Sequence, residues 1–431
     1  MPLPLLPLLF IFLTALIGAA ALAAVLSLLI LLAAAAARRP AAARRPAAPL
    51  ATLPLRLAVV VPAHNEELVL GVTLASLTSQ DYPAGCVQIV VVADNCTDGT
   101  AAIARSRGAS VLERTSETER GKGYALNFAI SHLLAQPLAP EAVVIVDADT
   151  QAAPDFLRCM SARIAQNKDP HGYGAWQGRY GVLNSGDGWR AALMTAAFDL
   201  VNHIKPLGRD RLGLSAGLKG NGMAFTTPLA AALPWPGGSL TEDLDYSLEL
   251  ARRFDLRVQY VPEARVAAQM PATAMQAASQ RRRWEQGRSG LVRERALPLL
   301  AEGLRRRSLL LFDAAWDLLT PPLAELAALL LAFLALTALG TAAHLLPHPT
   351  VWLGASVFGL LALTVYVLGG LRVAGAGPDA YAALLRAPFY AVWKIALLVT
   401  GRKPARNTPD EWVRTERHSL TSEPATENRL P

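Results

Sequence analysis

Two carboxylates one residue apart, Asp147 and Asp149, follow directly on the apolar run Val143–Val146. In an open parallel sheet, ligands gather beyond the carboxyl ends of the strands. An Asp-x-Asp pair there offers hard oxygens, suited to Mg²⁺ or Mn²⁺ shared with substrate phosphates. Such an ion neutralises charge developing on a diphosphate leaving group. By itself the pair also suits an ordinary acidic turn. Asp94 closes an earlier apolar run in the same way, within Ala93-Asp94-Asn95-Cys96-Thr97-Asp98. It can hydrogen-bond a base or ribose, while Asp98 or Thr97 caps the next helix. A first run ends in Pro62-Ala63-His64-Asn65-Glu66. Three strand ends thus present polar groups on one expected rim.

Lys122 stands in Gly121-Lys122-Gly123, which lacks the upstream glycine and the following Ser or Thr of a phosphate loop. It can still meet a phosphate as a point charge, or be a solvated loop lysine. Thr241-Glu242-Asp243 opens a helix after a Pro/Gly-rich turn. A carboxylate at that start can take a proton from an acceptor hydroxyl. The same residues also make good capping, with Thr241 as cap and acids in the first turn. Gln280-Arg281-Arg282-Arg283-Trp284 joins a basic run to an indole. Arg grips phosphate in a bidentate way and Trp stacks on sugar, although basic runs beside membranes usually meet lipid headgroups.

The elements that must position these groups are legible as periodicities. Leu57–Val61, Gln88–Ala93 and Ala142–Val146 read as buried strands. Helical patterns lie at Glu67–Gln80, Thr100–Arg107, Tyr124–Leu134 and Leu244–Arg253. That alternation predicts an α/β domain over residues 54–290, with a parallel sheet covered on both faces.

The chain is 52% hydrophobic and only 17% charged, which points to membrane segments. Leu3–Ala37 carries no charge, is too long for a signal peptide and reads as an anchor over residues 1–37. A basic linker, 38–53, follows with Arg38, Arg39, Arg44 and Arg45. The positive-inside rule then places the N-terminus outside and the α/β domain in the cytoplasm, at a bacterial inner or plasma membrane. Residues 291–320 read as interfacial helices, and 321–346 and 351–371 as a transmembrane hairpin. Residues 384–400 suit an interfacial or a spanning helix, and 401–431 a cytoplasmic tail. The net charge of +7 clusters beside apolar segments, a membrane-surface pattern and not a nucleic-acid footprint. Cys86, Cys96 and Cys159 fit no metal knuckle or disulfide framework, and read as buried thiols.

Taken in order, these elements resemble glycosyltransferase family 2. The likeness is to its membrane-integrated branch, which includes cellulose, hyaluronan and poly-N-acetylglucosamine synthases. It covers residues 54–290, the flanking helices and Trp412-Val413-Arg414-Thr415. The resemblance implies a GT-A (Rossmann-like) fold with transmembrane and interfacial helices. Pro62, Ala63, Asn65, Glu66 and Asp94 would hold the nucleoside, usually uridine, with Lys122 near the donor. Asp147 would support the donor and, with Asp149, the metal. Asp243 would be the base of an inverting transfer, beside Glu242 on the acceptor side. Gln280 and Arg283 would meet the diphosphate and Trp284 the acceptor terminus. The expected product is a growing β-linked polysaccharide. The alternative is one sugar placed on a lipid carrier or lipid acceptor, which the low helix count favours. A partner subunit or oligomer would supply further walls for a polymer channel. A nucleotidyltransferase would need a Gly-rich loop after the first strand, and none is present. A degenerate, non-catalytic nucleotide-sugar sensor fits poorly with intact Asp149 and Asp243.

Overall fold

The computed structural model describes residues 5–37, 54–239, 241–270 and 285–387. The linker at 38–53, Gln280, Arg283, Trp284, all of 384–400 beyond Ala387 and the tail with Trp412–Thr415 lie outside them. In chain order the elements are α1 (Leu5–Ala36), β1 (Leu57–Ala63), α2 (Leu70–Thr78), β2 (Val87–Asp94), α3 (Thr100–Ser106) and β3 (Ser110–Arg114). Next come α4 (Lys122–Leu134), β4 (Ala142–Ile145), β5 (Thr150–Ala152), α5 (Phe156–Ile164), β6 (Ala175–Val182), α6 (Trp189–Phe198) and α7 (Lys205–Arg211). Then follow β7 (Met223–Thr226), α8 (Thr227–Ala232), α9 (Glu242–Phe254) and β8 (Gln259–Ala268). The last helices are α10 (Leu297–Arg306), α11 (Leu309–Leu319), α12 (Leu323–Ala342), α13 (Pro349–Ala374) and α14 (Pro378–Leu384).

The strands form one eight-stranded sheet in the order β3-β2-β1-β4-β7-β6-β8-β5. The first four are parallel, as continuous β-branched runs require. The second half corrects the all-parallel expectation. Strand β7 is antiparallel to both β4 and β6, β8 is parallel to β6, and β5 is antiparallel to β8. Gly and polar residues interrupt β6, as in Trp176-Gln177-Gly178-Arg179. Such an interrupted strand carries no continuous apolar signal. The half that carries Asp94 and Asp147 keeps the parallel, Rossmann-like α/β layer that the resemblance implies.

Alternation along β1 divides the core. Leu57, Val59 and Val61 pack on one face with Leu70, Leu74, Phe156 and Met160. Ala58 and Val60 face the other way, toward Leu126 and Leu133. The apolar layer on that face runs on without a break into Leu28, Leu326 and Leu363. The membrane helices therefore share a core with the sheet domain and are not a tethered anchor.

Among the described residues, three helices are long and apolar enough to cross a membrane: α1, α12 and α13. Helix α12 starts after Pro322 and stops at Ala342, short of the predicted Leu346, because His344 turns the chain at φ 54° and Leu346 folds back into the protein. With 32 residues, α1 spans about 48 Å, more than the ~30 Å hydrocarbon layer. Its surplus is docked. Leu5, Leu6, Leu9 and Phe12 are exposed, whereas Leu28, Leu31, Leu32 and Ala35 are buried. Arg211 finishes the dock, donating to the carbonyls of Ala34 (3.0 Å), Ala37 (2.7 Å) and Ala35. A cation on the last carbonyls satisfies orphan acceptors and opposes the helix dipole. Arg211→Met should lower the stability of this junction by about 1.5–3 kcal/mol. The expected readout is a thermal midpoint several degrees lower in detergent, with faster amide exchange in α7. An unmoved midpoint would mean that water serves those carbonyls equally well.

Helices α10 and α11 pack against α9 through Leu248, Leu299, Leu311 and Ala315. They leave Leu297, Leu304, Leu309 and Phe312 exposed. All three cysteines are free, but only Cys159 is buried; Cys86 and Cys96 are half-exposed, unlike the expectation.

Candidate active site

Strands β1, β2 and β4 run parallel, so their carboxyl ends share a rim. The loops after β1 and β2 are knitted together there. The Asn65 carboxamide oxygen accepts from Thr97 N–H (2.8 Å), Glu66 N–H donates to Thr100 Oγ1 (2.8 Å), and His64 Nδ1 lies 2.7 Å from Asp94 O. Gly99 is the N-cap of α3, and Asp98, one residue earlier, accepts from Thr100 N–H at 3.0 Å. Pro62 and Ala63 are buried at the end of β1. Asp94 is fully buried, with Oδ1 held by Arg114 Nη1 at 2.7 Å and by Asn95 Nδ2 at 3.1 Å. Its Oδ2 is buried with no partner among the described residues. Buried acceptors are nearly always satisfied, so this one is a place for a ligand N–H or O–H.

Past β4, Asp147 and Asp149 take different roles. Asp147 is partly exposed, and Lys122 Nζ donates to its Oδ1 and to Gly220 O at 2.5 Å. Lys122 is the first residue of α4, so it is no solvated loop lysine. Asp149 is 8% exposed, and Thr150 Oγ1 donates to its Oδ1 at 3.2 Å. Asn221, fully buried, clamps both ends of this turn. Its Oδ1 accepts from Asp147 N–H at 3.1 Å and its Nδ2 donates to Thr150 Oγ1 at 2.8 Å. Gln177 holds the clamp in turn, through Asn221 O (2.8 Å) and Lys219 N–H (2.8 Å). Gly220 and Gly222, at φ 78° and 64°, permit the tight loop. A Cβ on Gly220 would lie 3.5 Å from Asp243 Oδ2 and 3.9 Å from Lys122 Nζ. That loop therefore joins Asp147, Lys122 and Asp243 into one cluster.

Asp243 lies in the first turn of α9, which opens at Glu242, two residues before the predicted start. Three acids in that turn, Glu242, Asp243 and Asp245, complement the dipole. Thr241 makes no capping bond; its hydroxyl is buried without a partner among the described residues, contrary to the capping expectation. Burial pushes the Asp243 pKa up, against the Leu244 N–H, Lys122 and Lys219, which favour the carboxylate. For Lys122 burial alone would lower the pKa, but Asp147, Glu242 and Asp243 outweigh it and the net shift is upward. Burial, and next Lys205, bring Lys219 down to about 8.

The structure thus gathers Asp94, Lys122, Asp147, Asp149, Glu242 and Asp243 around one rim. Asn65 and Glu66 shape the loop beside it. Sequence reasoning left Lys219 unnamed. It placed Trp176–Tyr180 and Gly220–Met223 on the acceptor side by resemblance, without the clamp that Asn221 and Gln177 form. The signal was present in Lys219-Gly220-Asn221-Gly222, where two glycines flank one amide. Among the described residues no group of three His, Cys, Asp or Glu could enclose a metal. Two carboxylates remain, a donor set that fits a hard divalent ion completing its shell with phosphate oxygens and water.

A family model described as "Glycosyltransferase like family 2" matches residues 54–287. The beta-monoglucosyldiacylglycerol synthase of Nostoc sp. is 28% identical over 239 residues, covering 54% of this chain and 48% of that protein. The probable glycosyltransferase YdaM of Bacillus subtilis is 25% identical over 268 residues, 60% of each chain. The 4,4'-diaponeurosporenoate glycosyltransferase of Staphylococcus aureus is 35% identical over 105 residues, 24% of this chain and 25% of that one. Among solved structures, a mannosyltransferase of Pyrobaculum calidifontis, in complex with GDP-Man and Mn²⁺, is 24% identical, covers 84% of this chain and 99% of its own, and has a TM-score of 0.47. The chain spans about half the length of the first curated relatives it matches.

Proposed function

The chain belongs to glycosyltransferase-like family 2, and on that premise we propose that it moves one sugar from a nucleotide-sugar, with uridine as its nucleoside, onto a lipid acceptor at the membrane. The observation that supports transfer is the cluster around Gly220, where Asp243 and Lys122 meet the Asp147–Asp149 turn. Asp94 Oδ2 offers the nucleoside an unused acceptor. Asp147 and Asp149 would hold Mg²⁺ or Mn²⁺, which supplies charge neutralisation for the diphosphate. Lys122 adds a cation beside it. Asp243 takes the proton of the acceptor hydroxyl as that oxygen bonds the anomeric carbon and the bond to the diphosphate oxygen breaks. One displacement inverts the anomeric centre, so an α-linked donor yields a β-linked product.

The choice of acceptor turns on the spanning helices. A Cβ on Gly18 would come within 2.5 Å of Phe333, and one on Gly359 within 2.6 Å of Leu330 and 3.1 Å of Leu22. Small residues at such contacts bring α1, α12 and α13 into close packing. Close packing of these three helices, among the described residues, supports an acceptor that does not pass between them. The polymer reading keeps one support, the Gln280-x-x-Arg283-Trp284 element, and would need walls from a partner or a second copy. The topology carried by this reading puts the sheet domain in the cytoplasm and the N-terminus outside.

Nucleoside diphosphate release over a panel of nucleotide-sugars, with full-length enzyme in nanodiscs, tests the reading. A UDP-sugar should be turned over, in the presence of metal and not of EDTA, and should yield singly glycosylated lipid. A ladder of products would move the assignment to polymer synthesis. Silence across the panel would remove transfer altogether.

A further inference from the structure

A cavity of about 160 Å³ lies away from the carboxylate cluster, where α13 ends. Its polar lining is Arg179, Asp199, Ser185, Thr195 and Asp379, closed by the Ala374–Gly377 turn. Arg179 Nη2 donates to Asp199 Oδ1 at 3.0 Å, and the Asp199 side chain is only 9% exposed. Asp199 begins a π-helical segment, Asp199–Ile204, that follows α6 without a break. Such segments are uncommon and recur at functional sites.

The register of the sheet relates this cavity to the chemistry. Ile145, Met223 and Gln177 stand level across β4, β7 and β6. Both neighbours are antiparallel to β7, so β4 and β6 run the same way. Asp147 and Arg179 are each two residues further along, Arg179 just past a register shift at Gly178. They share the rim, separated by two strand spacings, about 10 Å. That is roughly the reach of one hexose or glycerol unit with its linkages. The opposite wall is the Ala374–Gly377 turn and the start of α14, which places the cavity at the end of a helix long enough to cross the bilayer.

We infer that this cavity is an acceptor subsite for the uncharged, hydroxyl-bearing headgroup of a membrane lipid, and that it positions the headgroup beside Asp243 and the Asp147–Asp149 turn. The inference rests on the lipid-acceptor reading and gives it a place. The chemistry of the lining selects the headgroup. Arg179 is already neutralised by Asp199, and Asp379 adds a negative charge, so among the described residues of the lining a phosphate meets no uncommitted cation. Carboxylate oxygens and the Ser185 and Thr195 hydroxyls suit sugar or glycerol hydroxyls. The Ala192, Ala374, Ala376 and Gly377 walls leave room for a ring.

Two variants probe it in the full chain in nanodiscs. A Cβ at Gly377 meets nothing within 4 Å and its φ is −71°, so Gly377→Leu fills the cavity without backbone strain. Thr195→Val keeps the volume and removes a hydroxyl. Hydrogen exchange is read with octyl glucoside, below its micellar concentration, and with octyl phosphate. Octyl glucoside should protect α6 and residues 374–380, octyl phosphate should not, and Gly377→Leu should abolish the protection. In transfer assays the acceptor KM should rise at least about tenfold in Gly377→Leu and a few-fold in Thr195→Val, with the donor KM held. Equal protection by octyl phosphate, or protection by the glucoside that survives in Gly377→Leu, would overturn the subsite. Protection is read without turnover. An enzyme silent on every nucleotide-sugar therefore counts against transfer alone, and protection still decides the cavity.

Discussion

Asp243→Asn should slow transfer by roughly 10³-fold while nucleotide-sugar binding changes only a few-fold. The substitution keeps the shape and the start of α9 but removes the carboxylate assigned to take the acceptor proton. Nothing in the Asp94 or Asp149 contacts depends on it. The wild-type pH profile carries a second mark of the same group. Burial raises the Asp243 pKa despite the Leu244 N–H, Lys122 and Lys219. A base works deprotonated, so kcat should climb as pH rises through that raised pKa. Its acid limb should therefore stand above the ordinary carboxylate range. Lys219 holds the pKa down, so Lys219→Met should move the limb to still higher pH. Calorimetric donor binding and kcat against pH check these points together. Substantial transfer in Asp243→Asn would place the base elsewhere.

How much of this was readable beforehand depends on the kind of residue. Asp94, Asp147 and Asp149 were legible because each ends a continuous β-branched run, and parallel strands bring such ends to one rim. Asp243 was legible only as one of five ordered elements, since its local signal is also that of helix capping. The structure separates those meanings: the acids do occupy the first turn, but Thr241 makes no cap. Lys219 was not legible, and Asn221 and Gln177 were legible only as members of acceptor-side blocks, not as a clamp. Their roles arise from pairing β6 with β7 and β7 with β4, an antiparallel arrangement that interrupted strands conceal. Arg211 was hidden for another reason. Its partners are backbone carbonyls of α1, about 175 residues away in sequence, and backbone atoms leave no trace in residue types. The membrane helices could be counted from hydropathy. Their sharing of one core with the sheet could not, because Leu28 and Leu126 look alike whether they face lipid or protein.

Asp149→Asn should cost at least about 10²-fold in kcat/KM, and the loss should shrink as Mn²⁺ is raised. The amide keeps the volume of the buried side chain and can still accept from Thr150 Oγ1. What it removes is one of two negative charges, in a donor set with no third carboxylate, His or Cys grouped beside it among the described residues. Metal affinity should therefore fall, and donor affinity with it, because the diphosphate completes the same shell. EDTA on the wild type should reproduce the phenotype, and full activity in EDTA would show that Lys122 alone manages the leaving group. Asn221→Ala separates placement from charge. It leaves both carboxylates in place but releases Asp147 N–H and Thr150 Oγ1 from the clamp. Its defect should be smaller, roughly 10–100-fold, and should not close at high Mn²⁺. A ligand lost can be offset by more metal, whereas a turn no longer held in position cannot.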